Sequence, residues 1–224
     1  MASKHVALAR YVQWERMAKL LPLFPLQLVV FPRTQLPLHI FEDRYKEMVG
    51  EAIANQSEFG IVLAKEDGVV NAGCTVIVDR VVTKYEDGRM DVMTRGARRF
   101  EVLLLNEEKP YLRGEVQFFD DDEPGPAADD LRQEALLRYR ALLELGEMRG
   151  YSDPVLSDPQ LSFQLAQAVQ DLDFQSIMLR NRSEPDRLRQ FNSFLAQYVP
   201  RMKETSKMKK LAPLNGFGHK PVGM

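Results

Sequence analysis

Residues able to do chemistry are few and scattered. The three histidines and one cysteine are His5, His39, His219 and Cys74, whereas a zinc site needs Cys and His clustered at short ligand spacings. No metal and no cofactor is therefore expected. His39 lies in an apolar run and is expected to be a packed, hydrogen-bonded core histidine, and Cys74 a small buried hydrophobe. The acidic run Asp120-Asp121-Asp122-Glu123 lacks the glycine-bearing loop of spaced ligands that holds Ca²⁺ and reads as a solvated linker. No stretch matches G-x-x-x-x-G-K-[ST], the loop whose amides and lysine cradle nucleotide phosphates. Isolated serines such as Ser57 and Ser206 give no reason to infer a nucleophile with its base. Arg95, Arg98 and Arg99 form a basic cluster of the kind that grips phosphates or stacks on bases. Arginines on the solvent face of a strand are, however, ordinarily just solubilising.

The elements that must position these residues follow from hydrophobic patterning. The 224 residues, 45% hydrophobic, suffice for one substantial core or two smaller ones. Thirty Lys and Arg against 32 Asp and Glu leave a net charge of −2, so the chain as a whole has no attraction for nucleic acid. With a single cysteine no intrachain disulfide can form, and a reducing cytoplasmic location is expected. The first residues are basic, but Arg10, Gln13, Glu15 and Arg16 interrupt any apolar run, so no export signal and no membrane span is expected.

Residues 20–119 read as short β segments at about 20–24, 27–31, 36–40, 59–64, 73–86, 89–95, 98–105 and 112–119. Asp87-Gly88 marks a hairpin turn, because glycine adopts positive φ without a Cβ clash. One helix interrupts them, with Tyr45, Met48, Val49, Ala52 and Ile53 on a single apolar stripe. Many short strands around one helix are best satisfied by a closed sheet, which removes exposed edges. Beyond the acidic run the period becomes helical. Leu131, Ala135, Tyr139 and Leu142 form one stripe ending near Gly146 and Gly150, and Leu161, Leu165, Ala168, Val169 and Leu172 form another. A last helix starts at Ser183 as its cap, with Leu188, Phe191, Leu195 and Tyr198 along one face. The expected organisation is an N-terminal extension (1–19), a β-barrel domain (20–120), an acidic linker (121–126), a helical subdomain (127–200) and a basic flexible tail (201–224).

The order of several segments carries a resemblance. They are Leu21-Pro22-Leu23-Phe24-Pro25, Val29-Val30-Phe31-Pro32, Leu36-Pro37-Leu38-His39-Ile40-Phe41-Glu42 with Arg44-Tyr45, Phe59-Gly60-Ile61-Val62, Gly73-Cys74, Asp87-Gly88-Arg89, and Gly96 to Phe100. Leu172-Asp173-Phe174 and Ser183-Glu184 with Arg187-Leu188 continue the pattern. From about residue 20 to 200 the chain resembles the substrate-binding N-terminal domain of Lon-type ATP-dependent proteases. That resemblance implies an α+β fold, a PUA-like β-barrel with one inserted helix followed by a C-terminal helical bundle. It also implies recognition of unfolded or damaged polypeptides or of adaptor proteins, in protein quality control or regulated proteolysis. A separate ATP-dependent protease would be a further partner, since the ATPase and Ser–Lys peptidase of that family lie outside the region of resemblance. The expected function is thus non-catalytic polypeptide binding. The alternatives are an RNA-associated PUA-like module using the Arg95 to Arg99 surface and the basic tail, and a hydrolase with an unrecognised site.

The expected polypeptide-binding surface is Glu42, Asp43 and Arg44 with the apolar Phe31, Pro32, Leu36 and Pro37. An extended client needs apolar contact for affinity and polar groups for orientation, and this stretch offers both. The same charges at a helix N-terminus also serve simply to stabilise that helix, and the apolar residues to fill the core.

Overall fold

The computed structural model describes residues 20–144 and 154–211, the side chains of 206–211 excepted. Its strands are β1 (Leu21–Leu26), β2 (Gln35–Ile40), β3 (Phe59–Lys65), β4 (Gly68–Lys84), β5 (Met90–Asn106) and β6 (Arg113–Phe119). Its helices are α1 (Asp43–Asn55), α2 (Asp129–Leu143), α3 (Leu161–Ala166), α4 (Leu172–Arg180) and α5 (Glu184–Leu211). They fall into two compact units: the strands, α1 and Asp171–Arg182 in one, and Glu123–Gln170 with the chain from Ser183 onward in the other. The architecture is α+β: a barrel of strands with one inserted helix, and a helical C-terminal region.

In the first unit the strands run in the order β2-β5-β4-β3-β1-β6, and β6 pairs again with β5, so five strands close into a barrel. β1 and β3 are parallel, and every other pairing is antiparallel. β5 serves two neighbours in turn: residues 90–95 face β2 and residues 99–106 face β6. The change falls at Gly96, where a Cβ would stand 2.1 Å from the Phe31 carbonyl oxygen. Arg33 donates its amide to the Gly96 carbonyl and Gly96 donates to that of Thr34. Gly96 is what lets the segment before β2 lie against β5.

Leu23, Val62 and Phe100 fill the barrel core. Gly60 and Gly73 make room for the Phe100 ring, since a Cβ on either would come within 2.6 Å of it. α1 buries Tyr45, Met48, Val49 and Ala52, the stripe expected from periodicity. Tyr45 stacks on Phe24 of β1 at 4.0 Å between ring centres, fixing the helix on the barrel. At Asp87-Gly88 the Gly88 amide donates to the Tyr85 carbonyl, and Gly88 has φ of 83°.

Residues 27–31 form no strand, contrary to their β-branched composition. Pro32 lacks an amide and Arg33 takes a left-handed φ of 63°, so the backbone turns there while Val30 and Phe31 are buried inside. The stretches expected at 89–95 and 98–105 are one strand, β5.

A second departure concerns Arg99. Its side chain is only 2% exposed, and it donates to the carbonyls of Leu179 and Asn181 at 3.1 and 2.7 Å and to Asp121 at 2.6 Å. It therefore satisfies the open C-terminal end of α4 with a cation, as the helix dipole favours. Asp121 is accordingly not part of a solvated linker. Residues 171–182, grouped by sequence with the helical subdomain, belong with the strands, and Lys65 adds a 2.6 Å ion pair to Asp173.

In the second unit α2, α3 and α5 pack on one another, burying Tyr139 and Leu142, Phe163 and Leu165, and Leu188, Phe191 and Leu195. Glu184 accepts from the amide and hydroxyl of Ser162 at the start of α3, and Arg187 donates to both Glu184 and Ser162. Arg187 also lies over the Phe163 ring at 4.2 Å. The Ser183 hydroxyl accepts from the Asp186 amide as a cap.

The stripe from Leu161 to Leu172 is not one helix. α3 ends at Ala166, and Asp171 starts α4 anew by accepting the Phe174 amide. The basic tail expected to be flexible from residue 201 is helical as far as Leu211, with Pro200 inside the helix. The expected stop at Gly146 and Gly150, the extension 1–19, and His5 and His219 lie outside the described residues.

Candidate polypeptide-binding surface

The segment from Phe31 to Arg44 does not present all its residues. Phe31 is 0% exposed. Its carbonyl is taken by the Thr34 hydroxyl at 2.7 Å and its side chain packs inward, so it cannot touch a client. Pro32 and Leu36 are half-buried, and Pro37 is exposed on β2. Glu42, at the N-cap of α1, makes no side-chain cap. It pairs instead with Arg44 at 2.7 Å, while Asp43 pairs with Lys46 at 3.1 Å. Arg44 lies over the Tyr45 ring at 4.6 Å. The charged triplet is thus surface-exposed but internally matched, and Asp43 sits in the first helical turn where the dipole favours it.

Two residues on this surface were not read as site residues. Phe41 is 59% exposed, and His39, expected in the core, has a side chain 47% exposed. Strand alternation explains both, because Leu38 and Ile40 point into the core and send the odd-numbered residues outward. His39 Nδ1 lies 2.6 Å from Asp91 Oδ1, and Tyr85 donates to the other Asp91 oxygen at 2.7 Å. Hydrogen bonds from His39 and Tyr85 hold the Asp91 carboxyl below its usual range, and the bond to Asp91 raises the Tyr85 phenol. The His39 and Phe41 rings stack at 5.9 Å, so the outer face of β2 continues into an aromatic ledge.

A cleft of about 920 Å³ opens elsewhere on the same unit, beside the C-terminal half of α1. Met48, Ala52, Leu21, Pro22 and Val116 give it apolar lining. Its cations carry carboxylate partners: Lys109 with Glu51 at 2.8 Å, Arg98 with Glu58 at 3.0 Å and Arg113 with Glu108 at 3.1 Å. Bonds from Lys109 and Tyr111 lower the Glu51 carboxyl, and the same Glu51 bond raises Lys109. Nothing in the sequence marks this cleft, since its walls come from segments far apart in the chain.

The arginine cluster is divided by burial. Arg95 pairs with Asp79 at 3.2 Å, Arg98 lies over the Phe118 ring at 3.7 Å, and Arg99 is inside. A phosphate would have to displace carboxylates already in place, and Arg99 is out of reach.

A family model described as the ATP-dependent protease La (LON) substrate-binding domain matches residues 20–204. The chain belongs to the LON substrate-binding domain family. It is 32% identical over 118 residues to the Lon protease of Parabacteroides distasonis, an alignment covering 49% of this chain and 14% of that protein. Identity to the Lon protease of Lawsonia intracellularis is 28% over 137 residues, covering 57% and 16%. The chain thus corresponds to a small part of those proteases. Among solved structures, the Lon N-terminal domain protein from Xanthomonas campestris superposes with a TM-score of 0.64 at 24% identity, covering 77% of this chain and 96% of that one. The N-terminal domain of Mycobacterium avium complex Lon protease gives 0.57 at 18% identity, covering 80% and 99%. These likenesses show the fold.

Within this LON domain the residues that carried the resemblance are largely architectural. Gly60, Gly73 and Gly96 admit close approaches, and Cys74 is fully buried, its thiol pushed up to about 12 by desolvation. Among the described residues no group of His, Cys, Asp and Glu side chains is arranged to hold a metal ion. No described helix is long and apolar enough to cross a membrane.

Proposed function

We propose that this LON-domain chain is a non-catalytic polypeptide-binding module that recognises unfolded or damaged proteins or adaptors and serves quality control or regulated proteolysis. The observation that carries the reading is the family match over residues 20–204, which covers both the barrel and the helical part. The client surface is the outer side of β2 and the start of α1: Pro32, Pro37, Phe41 and the Glu42-Asp43-Arg44 triplet, with Leu36, half-buried on the inward face of β2, only at its margin. Phe41 and Pro37 supply exposed apolar area, and the matched charges beside them give polar groups at the rim, the composition interfaces favour. A separate ATP-dependent protease is the natural recipient of what the module binds.

The test is photo-cross-linking in cells from a phenylalanine analogue at position 41, with mass spectrometry of the adducts and a control analogue at the exposed position 137 of α2. Cross-links to misfolded polypeptides, adaptors or a proteolytic ATPase, specific to position 41, are expected. Adducts confined to RNA, or the same set from both positions, would overturn the proposal.

A further inference from the structure

The barrel leaves one strand outside its closed ring. β2 pairs only with β5, and among the described residues no strand lies along its other side. Exposed edges of this kind are ordinarily covered, blunted or used, because they present unpaired amides and carbonyls.

Which groups face outward follows from the register. The Gly96 amide donates to the Thr34 carbonyl, and Gln35 opposite Arg95 begins the β2–β5 ladder in the same register. In an antiparallel pair, residues alternate between those bonded to the neighbour and those turned away. Thr34 bonds β5, so Leu36, Leu38 and Ile40 do too, while Gln35, Pro37 and His39 direct their backbone groups away. The position of Pro37 agrees, because proline is tolerated in a strand where its missing amide faces off the sheet. The 2.6 Å bond between the His39 and Asp91 side chains also fits, since non-bonded pairs bring facing side chains closest. The free edge therefore offers the amides and carbonyls of Gln35 and His39 and the carbonyl of Pro37.

The geometry points to β-strand addition: an extended segment of an unfolded polypeptide, with apolar residues at alternate positions, pairs along the free edge of β2. The backbone groups supply affinity that ignores client sequence, and side chains on one face of the added strand settle against Pro37, His39 and Phe41. A folded protein, whose strands are already paired, is not a substrate for this mode. A missing donor at Pro37 keeps the edge from being a perfect template for a second copy of itself. This inference rests on the polypeptide-binding reading and specifies how it is achieved.

The experiment compares the wild-type chain, His39→Ala and His39→Pro for binding of reduced, carboxymethylated α-lactalbumin. His39→Ala removes the imidazole and keeps the outward amide. His39→Pro removes the amide and leaves the β5-facing bonds in place. The inference predicts that His39→Ala loses only the contribution of the imidazole contact, and that His39→Pro, which loses the outward amide as well, binds about tenfold more weakly than His39→Ala. Because proline strains a strand, the wild type is measured independently by site-resolved amide exchange, where the probe should slow exchange at Gln35 and His39. Equal binding by the two variants, or no slowing at those amides while the probe is bound, overturns strand addition and leaves polypeptide binding standing. Failure of wild type to bind the probe at all overturns both.

Discussion

At the residue scale, two side chains that composition places outside or ignores are set by burial. Arg99 is inside because its guanidinium answers two carbonyls at the end of α4 and the Asp121 carboxylate. Removing it leaves those groups buried without a cation, which for a broken buried pair costs about 3–5 kcal/mol. Arg99→Ala should lower the urea midpoint by a corresponding amount, and a change under ~1 kcal/mol would contradict the assigned role. None of this was legible in the sequence. Arginine is usually exposed, and its partners lie 80, 82 and 22 residues away. Cys74, by contrast, was readable as a small hydrophobe. Burial lifts its thiol to about 12, whereas an unfolded chain's thiol ionises near ~8.5. Between those values the folded state keeps a proton the unfolded state has lost, so stability falls with rising pH by at most about 1.4 kcal/mol per unit. At pH 8 the native thiol should resist a disulfide reagent that modifies it at once in denaturant. Rapid modification of native protein would refute the burial.

At the element scale, β2 is where periodicity and tertiary constraint meet. Its alternation was available in the sequence: Leu36, Leu38 and Ile40 inward, Pro37, His39 and Phe41 outward. The His39 expectation failed because overall apolarity outweighed that period of two. The run at 27–31 failed for a different reason, since β-branched residues favour strands only where the backbone can pair, and Pro32 with left-handed Arg33 prevents it. What holds β2 in register is Gly96. Gly96→Ala places a methyl against the Phe31 carbonyl, so the segment must shift, at a cost of about 1–3 kcal/mol. The expected signature is faster amide exchange at Arg33 and Gly96 together with weaker polypeptide binding. Unchanged exchange and stability would show that the close approach is not needed.

At the scale of the whole molecule, the barrel with its inserted helix and the helical region could be read from turn signals, one amphipathic stripe and the acidic break. The return of residues 171–182 to the barrel unit could not, because Leu172 to Arg180 carry the same helical period as their neighbours, and it is contacts with distant residues, Arg99 and Lys65 among them, that distinguish where they belong. The candidate site was partly legible: Pro37 and the charged triplet are at the surface, Phe31 is not, and Phe41 and the free edge of β2 emerge only once strands are paired. The measurement that tests the central claim most directly is a fluorescence anisotropy titration of labelled, reduced and carboxymethylated α-lactalbumin with the full chain at physiological salt. The account predicts saturable binding, competed by unlabelled unfolded protein and not by native, calcium-loaded α-lactalbumin. Absence of saturation, or equal competition by the native form, would contradict it.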